Sequence, residues 1–327
     1  MNDGRKLLTI VCPVMNEEKS VPLFYERLVK AVAPLEEKVR IELLFINNRS
    51  VDSTLEIVRG IAAKDPRVRY LTLSRNYGYQ AAITCGMQNA RGDAIANIDV
   101  DCEDPPEMIP RFVDRWLSGV DIVYGLRDKR EEFFLMHLGR KLFYRVMHRI
   151  ADHEIVLDMA EFFLVDKRVR DVALSTRSTF PFVRGQVGFV GFRREGIPYK
   201  RERRIVGKTH YNLIGAARFG FSGVLTSSTL ALRLLAYWGF PLVPLNMVLA
   251  LAMLFAGDGP SGARIERCLL ALVAFELGWA MLAFGFIGIY LARVYKDSIA
   301  LPLYVVDTAL SSESNVPPVS PGAGKGP

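Results

Sequence analysis

From Leu234 to Ala256 the chain carries no charged residue, and from Cys268 to Ala292 it carries one, Glu276. Either stretch is long enough to cross a bilayer, which takes about 20 apolar residues. Helices of that length with so little charge belong to lipid rather than to the core of a soluble domain. Gly257-Asp258-Gly259-Pro260-Ser261-Gly262 between them reads as a turn. The expectation is a two-helix transmembrane hairpin within residues 229–296 (about 234–256 and 268–292), with both flanks on one side of the membrane. Arg218 and Arg233 precede the pair and Arg293 and Lys296 follow it, while Arg264 and Arg267 in the link blunt the charge bias. Residues 212–228 have few charges and suit the membrane interface. Residues 297–327 form a tail whose end, SSESNVPPVSPGAGKGP, is rich in Ser, Pro and Gly and reads as disordered.

The first two thirds have another texture. Leu7–Pro13, Ile41–Asn47, Val68–Leu73, Ala94–Asp99 and Asp121–Gly125 read as buried strands. Between them Val21–Val32, Ser53–Lys64, Tyr79–Asn89 and Glu107–Ser118 have helical spacing, with Ser20 and Asp52 or Ser53 as caps. This alternation predicts an α/β domain over residues 1–211 with a mostly parallel sheet and helices on both faces. Ligands of such sheets sit at the carboxyl ends of the strands. The polar clusters fall there: Asn16-Glu17-Glu18, Asn47-Asn48, Asp99 with Asp101, and Arg127. Residues 126–211 are less regular, and Glu132–Ile150 within them reads as an amphipathic helix.

Net charge is +7, with an isoelectric point near 9.2 and a mean hydropathy of +0.17. A basic balance suits nucleic acid, anionic lipid or anionic substrates. No nucleic-acid motif is present, which leaves membrane lipids and phosphate. Cys12, Cys85, Cys102 and Cys268 form no CxxC pair, so a zinc site is not expected; buried thiols in a reducing compartment fit better. The amino-terminal MNDGRKLLTIVCPV has too short an apolar run for a signal peptide. Together these predict a multi-pass integral membrane protein with its large domain in the cytoplasm.

The most chemical segment is Asp99-Val100-Asp101-Cys102-Glu103-Asp104-Pro105-Pro106-Glu107. If Asp99 ends a strand, alternation puts Asp99 and Asp101 on one side. Paired carboxylates there suit Mg2+ or Mn2+ and a diphosphate bridged to it. Asp-x-Asp is a weak motif alone; the plain alternative is an acidic turn whose Asp104 or Glu107 serves the next helix dipole. Pro13-Val14-Met15-Asn16-Glu17-Glu18 alone reads as a loop and helix start.

Order and spacing add to this. CPVMNEE, FINNRSVDST, LSRNYGYQAAITCGMQNARGDAIANIDVDCEDPPEMIP and VYGLRDKR follow one another, then YKRERRIVGKTHY and IYLARVYKDSIALPLYVV. The series resembles the polyprenyl-phosphate glycosyltransferases, the dolichyl-phosphate-mannose-synthase-like branch of the family 2 enzymes, over nearly the whole chain. The resemblance implies a GT-A fold and an inverting reaction in which a lipid phosphate oxygen attacks the anomeric carbon of a nucleotide sugar. It implies that Pro13, Asn16 and Glu17 lie along the nucleoside, with Asn47 and Asn48 near the base. Asp99 and Asp101 would hold metal and diphosphate. Arg127 would face the acceptor phosphate, with Arg201, Arg204 and Lys208 reaching phosphates from the later segment. Arginine suits that task because its fork matches phosphate oxygens.

Two departures stand out. The family usually has two acids where this chain has Asn47 and Asn48. Many members carry Gly-Asp-Phe-Arg where it has Leu157-Asp158-Met159-Ala160-Glu161-Phe162-Phe163; Glu161 can replace the Asp, but Phe163 cannot replace the Arg. These leave open a catalytically silent membrane scaffold, or another lipid acceptor. Self-association into a homo-oligomer is compatible with the sequence.

Overall fold

The computed structural model describes residues 4–127, 159–175, 182–202, 262–299 and 301–313, with scattered helical positions between 232 and 251. The expected helix Glu132–Ile150, the interfacial stretch 212–228, most of Leu234–Ala256, and Arg204 and Lys208 lie outside the described residues. The chain divides into two compact units. The first comprises Met1–Lys141, Glu154–His210 and Ala300–Pro327; the second comprises Leu142–His153 and Tyr211–Ile299.

The first unit is built on β1 (Leu7–Val14), β2 (Arg40–Asn47), β3 (Val68–Thr72), β4 (Ala94–Asn97), β5 (Ile122–Arg127), β6 (Met159–Asp166) and β7 (Arg194–Tyr199). They form one sheet in the order β3-β2-β1-β4-β6-β5-β7. Parallel pairs are β1–β2, β1–β4, β2–β3 and β5–β7. Only β6 runs antiparallel, between β4 and β5. The helices are α1 (Ser20–Val32), α2 (Thr54–Ala62), α3 (Tyr79–Asn89), α4 (Ile109–Leu117), α5 (Lys167–Ala173) and α6 (Val183–Phe189).

Pattern explains the placement. β1 is central and buried along nearly its whole length, so it reads as a continuous apolar run. It does not stop at Pro13. Its pairing with β4 ends at Val11, whose carbonyl still accepts from Ile98 N. Alternation points the missing N–H of Pro13 to that same vacated side, so no ladder bond is lost. On α1, Val21, Phe24, Leu28 and Val32 repeat at helical spacing and are fully buried, each contributing roughly 1.5–3 kcal/mol. Ser20 does not cap α1; its hydroxyl donates to Glu17 Oε2 at 2.6 Å. Asp52 rather than Ser53 serves α2, accepting from Thr54 N at 3.1 Å.

Residues 301–313, set apart in the sequence as a tail, pack within the first unit. Val306 bridges Leu73 in antiparallel sense, Ser74 N donates to Val305 O, and Asp307 N donates to Thr72 O at 2.7 Å. Ser311 and Ser312 accept from Thr72 N and Tyr70 N, and Glu313 pairs with Arg69. This strap covers the edge of β3.

In the second unit a helix runs Gly262–Ile299, containing the expected span Cys268–Ala292. Its segment Phe275–Ile299 is, among the described residues, the one helix long and apolar enough to cross a membrane. The two-helix hairpin therefore rests on one such helix in the structure. Asn246 donates to Glu276, the single acid of the span.

Candidate active site

The strands deliver their polar residues to one end of the sheet. β4 stops at Asn97, so strand alternation does not set the aspartates: Asp99 lies two residues beyond, and Asp101 sits in a turn closed by Cys102 at φ 61°. Asp99 is half-buried and accepts from the Tyr79 hydroxyl at 2.6 Å. Burial pushes the Asp99 carboxyl up to about 7; the Tyr79 bond opposes this, while Asp101, Asp104 and Glu161 add to it. Asp101 is 7% exposed and accepts from Glu103 N at 3.0 Å.

Glu161 comes from β6. Register opposes Asn97 to Phe163, so Glu161 lies level with the stretch just past β4. Gln80 Nε2 donates to its Oε1 at 3.1 Å, and Arg184 Nε stands 3.8 Å away. Its Oε2 and the Oδ1 of fully buried Asn97 have no hydrogen-bond partner. Burial raises the Glu161 carboxyl and Arg184 partly offsets it. Phe163, expected from the resemblance to depart from an Arg that many members carry, is wholly buried in the core; Arg184 brings a guanidinium to Glu161.

Arg127 is the last residue of β5 and the register partner of Tyr199 on β7. Its Nε donates to the Tyr199 hydroxyl at 3.2 Å, and its Nη2 lies 3.5 Å from Asp104 Oδ2. Tyr199 in turn donates to Asp104 Oδ1. The tyrosine ring passes over Gly125, where a Cβ would stand 2.5 Å from it, so glycine is required for the approach. Burial works most strongly against the charge of Arg127, but Asp104, Tyr199 and Asp99 together more than offset it and shift the guanidinium upward. Arg201 pairs with Glu103 and stands 3.7 Å from Asp104.

At the expected nucleoside end the side chains hold the loops. Pro13 is buried in β1. Asn16, at φ 56°, accepts from Val51 N at 2.9 Å, and Glu17 N donates to Thr54 Oγ1 at 2.8 Å. Asn47 and Asn48 are 1% and 4% exposed. Asn47 Oδ1 accepts from Ser50 N; Asn48 Oδ1 accepts from Tyr77 N, and its Nδ2 donates to Asn76 Oδ1.

Asp99, pushed toward neutrality by burial and negative neighbours, fits with Asp101 a hard divalent cation that takes its other ligands from phosphates. Among the described residues no group of three or more His, Cys, Asp or Glu side chains gathers to hold such an ion unaided. Sequence reasoning missed Tyr79, Gln80, Arg184, Tyr199 and the pairing of Asp104. Only the Gly125–Arg127 strand end hinted at Tyr199, because a glycine one pleat before an arginine leaves room for a ring.

Carboxylates and an arginine gather at the carboxyl ends of a mostly parallel mixed sheet, the architecture of a GT-A transferase domain. Residues 9–170 match glycosyl transferase family 2. The chain belongs to this family: it is a glycosyltransferase of GT-A fold. It is 35% identical over 311 residues to an uncharacterized glycosyltransferase, YkcC, of Bacillus subtilis (strain 168), across 94% of this chain and 95% of that one. It is 30% identical over 306 residues to the prophage bactoprenol glucosyl transferase homolog of Escherichia coli (strain K12), across 91% and 98%. Among solved structures, the mannosyltransferase PcManGT from Pyrobaculum calidifontis in complex with GDP-Man and Mn2+ aligns over 89% of this chain and 88% of its own, at 15% identity and a TM-score of 0.48.

Proposed function

We propose that this enzyme transfers a sugar, with inversion, from a nucleotide sugar to a polyprenyl phosphate such as undecaprenyl or dolichyl phosphate at the cytoplasmic face of a membrane. The observation that carries the reading is the meeting of Asp99 and Asp101 with Arg127 at one end of the sheet. It is supported by relatives named bactoprenol glucosyl transferase over nearly the whole chain.

Asp99 and Asp101 would hold Mg2+ or Mn2+, and the ion when bound would supply neutralising charge for the donor diphosphate. Arg127 takes the acceptor phosphate on the edge of its guanidinium turned away from Asp104, with Arg201, Arg204 and Lys208 as further phosphate ligands. A phosphate oxygen forms the new bond to the anomeric carbon as the bond to the diphosphate oxygen breaks. The acceptor is already anionic, so no strong base is required. Pro13, Asn16, Glu17, Asn47 and Asn48 line the nucleoside side. The apolar helix, paired with a second one from Leu234–Ala256, concentrates the enzyme among membrane lipids where its acceptor lies.

The test is a screen of radiolabelled nucleotide sugars with the full-length protein in membranes, undecaprenyl phosphate and Mn2+ or Mg2+. Label in the lipid fraction that requires both donor and polyprenyl phosphate is the expected result. Transfer only to lipids lacking a phosphate would overturn the acceptor assignment.

A further inference from the structure

Asp104 is 1% exposed, yet it is not spent on the helix it precedes: the turn Pro106–Met108 has no side-chain cap. A buried carboxylate needs compensation, and here the partners among the described residues come from the ends of β5 and β7 and from Arg201 just beyond. Tyr199 donates to Oδ1, Arg127 approaches Oδ2 at 3.5 Å, and Arg201 stands 3.7 Å from Oδ1. The Tyr199 hydroxyl also accepts from Arg127 Nε at 3.2 Å. Arg127 is thus held along one edge, Nε and Nη2, while 39% of its side chain stays exposed. An ion pair of 3.5 Å is long for a charge-assisted bond, so much of the guanidinium's capacity is unspent. The opposite edge is left to meet a second anion.

We propose that Asp104, acting with Tyr199, is a positioning residue for the acceptor phosphate: it fixes the rotamer of Arg127 so that the free edge of the guanidinium faces that phosphate. The inference rests on the polyprenyl-phosphate reading. Asp104 touches no substrate. Its effect passes through Arg127, and that dependence distinguishes it from a carboxylate that merely stabilises the loop after β4.

The experiment is a double-mutant cycle in the full-length, detergent-solubilised enzyme with a short water-soluble prenyl monophosphate as acceptor. Asp104→Asn is expected to raise acceptor KM about ten- to a hundredfold and to leave donor KM within about twofold. Arg127→Ala should do the same, and adding Asp104→Asn to it should change acceptor KM no further. Tyr199→Phe, which keeps the ring over Gly125, should reproduce a smaller part of the effect and carries the test should Asp104→Asn unfold. Additive effects in the cycle, or equal losses in donor and acceptor KM, would overturn the positioning role while leaving the acceptor assignment standing. A wild-type enzyme that glycosylates no prenyl phosphate would remove both.

Discussion

Two loops leave the same end of the sheet on either side of β1, and they use their polar residues in opposite ways. The loop after β2 carries Asn47 and Asn48, buried and bonded to Ser50, Tyr77 and Asn76. The loop after β4 carries Asp99, half-buried, whose one donor among the described residues is the Tyr79 hydroxyl and which burial and negative neighbours push toward neutrality. The first loop spends most of its side-chain bonding on neighbouring protein groups. The second stores electrostatic strain that a bound cation would relieve. Unspent bonding capacity marks a site better than polarity does.

The largest effect expected from breaking this contrast is at the second loop. Asp99→Ala and Asp101→Ala should each reduce transfer on the order of a thousandfold or more, the scale of several kcal/mol lost from charge stabilisation at a diphosphate. Thermal unfolding should stay close to wild type, or rise for Asp99→Ala in the absence of metal. Near-normal turnover in either variant at saturating Mn2+ would show that these carboxylates do not serve the donor.

The first loop is held in part from the other end of the chain. Arg49, at φ 64°, pairs with Asp307 at 3.0 Å, and Tyr304, 2% exposed, donates to Gln88 Oε1 at 2.6 Å. Tyr304→Ala in the full chain should therefore destabilise the first unit by about 3–5 kcal/mol, as for other buried aromatics, and weaken nucleotide binding with it. The sequence alone invites a cut after Ser228 to release a soluble domain. That cut removes the strap as well, so it should yield a protein that aggregates through the bared edge of β3. A soluble, nucleotide-binding 1–228 fragment would show that the strap is dispensable.

The legible and illegible parts follow the same division. β1 to β5 announce themselves because each is an apolar run bounded by breakers, and α1 because its apolar residues keep helical spacing. β6 and β7 did not. MAEFFLVD interrupts its run with Glu161, and REGIPY mixes charge, Gly and Pro, so neither carries a strand period. The strap was invisible for another reason: its bonds to β3 span more than 200 residues, and no local pattern records them. Asp99, Asp101 and Arg127 were legible as residue types in order. Their geometry was not, since β4 ends early and Arg127 is oriented by Asp104 and Tyr199.

A smaller effect separates the loops by pH. The Asp99 carboxyl is raised to about 7 from an ordinary value near 3.8. The folded, metal-free protein therefore holds this proton more tightly than the unfolded chain. Its contribution to stability is full below about pH 4 and is lost as pH rises through about 7. Comparing melting temperatures of wild type and Asp99→Asn in EDTA from pH 5 to 8 isolates this contribution from that of Asp65, which Arg67 holds low and which acts with the opposite sign. Wild type should fall relative to the variant across that window, and Mn2+ should abolish the fall because the cation takes the proton's place. A difference that is flat with pH would mean that the second loop is not strained.

The smallest effect is expected at the Asn pair, and it tests whether the first loop reads anything at all. Asn48 has each end of its amide engaged by the segment after β3 and is 4% exposed, so its remaining N–H and lone pair are poorly placed to meet a nucleobase. Asn47 has its oxygen on Ser50 N, which leaves its amino group as the one donor available. An amide donor suits a base carbonyl, and uracil, guanine and cytosine all offer one, so even Asn47 discriminates weakly among them. Asn48→Asp exchanges the donor to Asn76 for a second acceptor in a buried place, which should lower stability by about 1–3 kcal/mol. It should leave the relative affinities for UDP, GDP and CDP unchanged, as read by calorimetry in the presence of Mn2+. Asn47→Asp should weaken all three nucleotides alike. A change in base preference in the Asn48 variant would contradict the picture of Asn48 as a structural bridge and give the pair a direct part in donor selection.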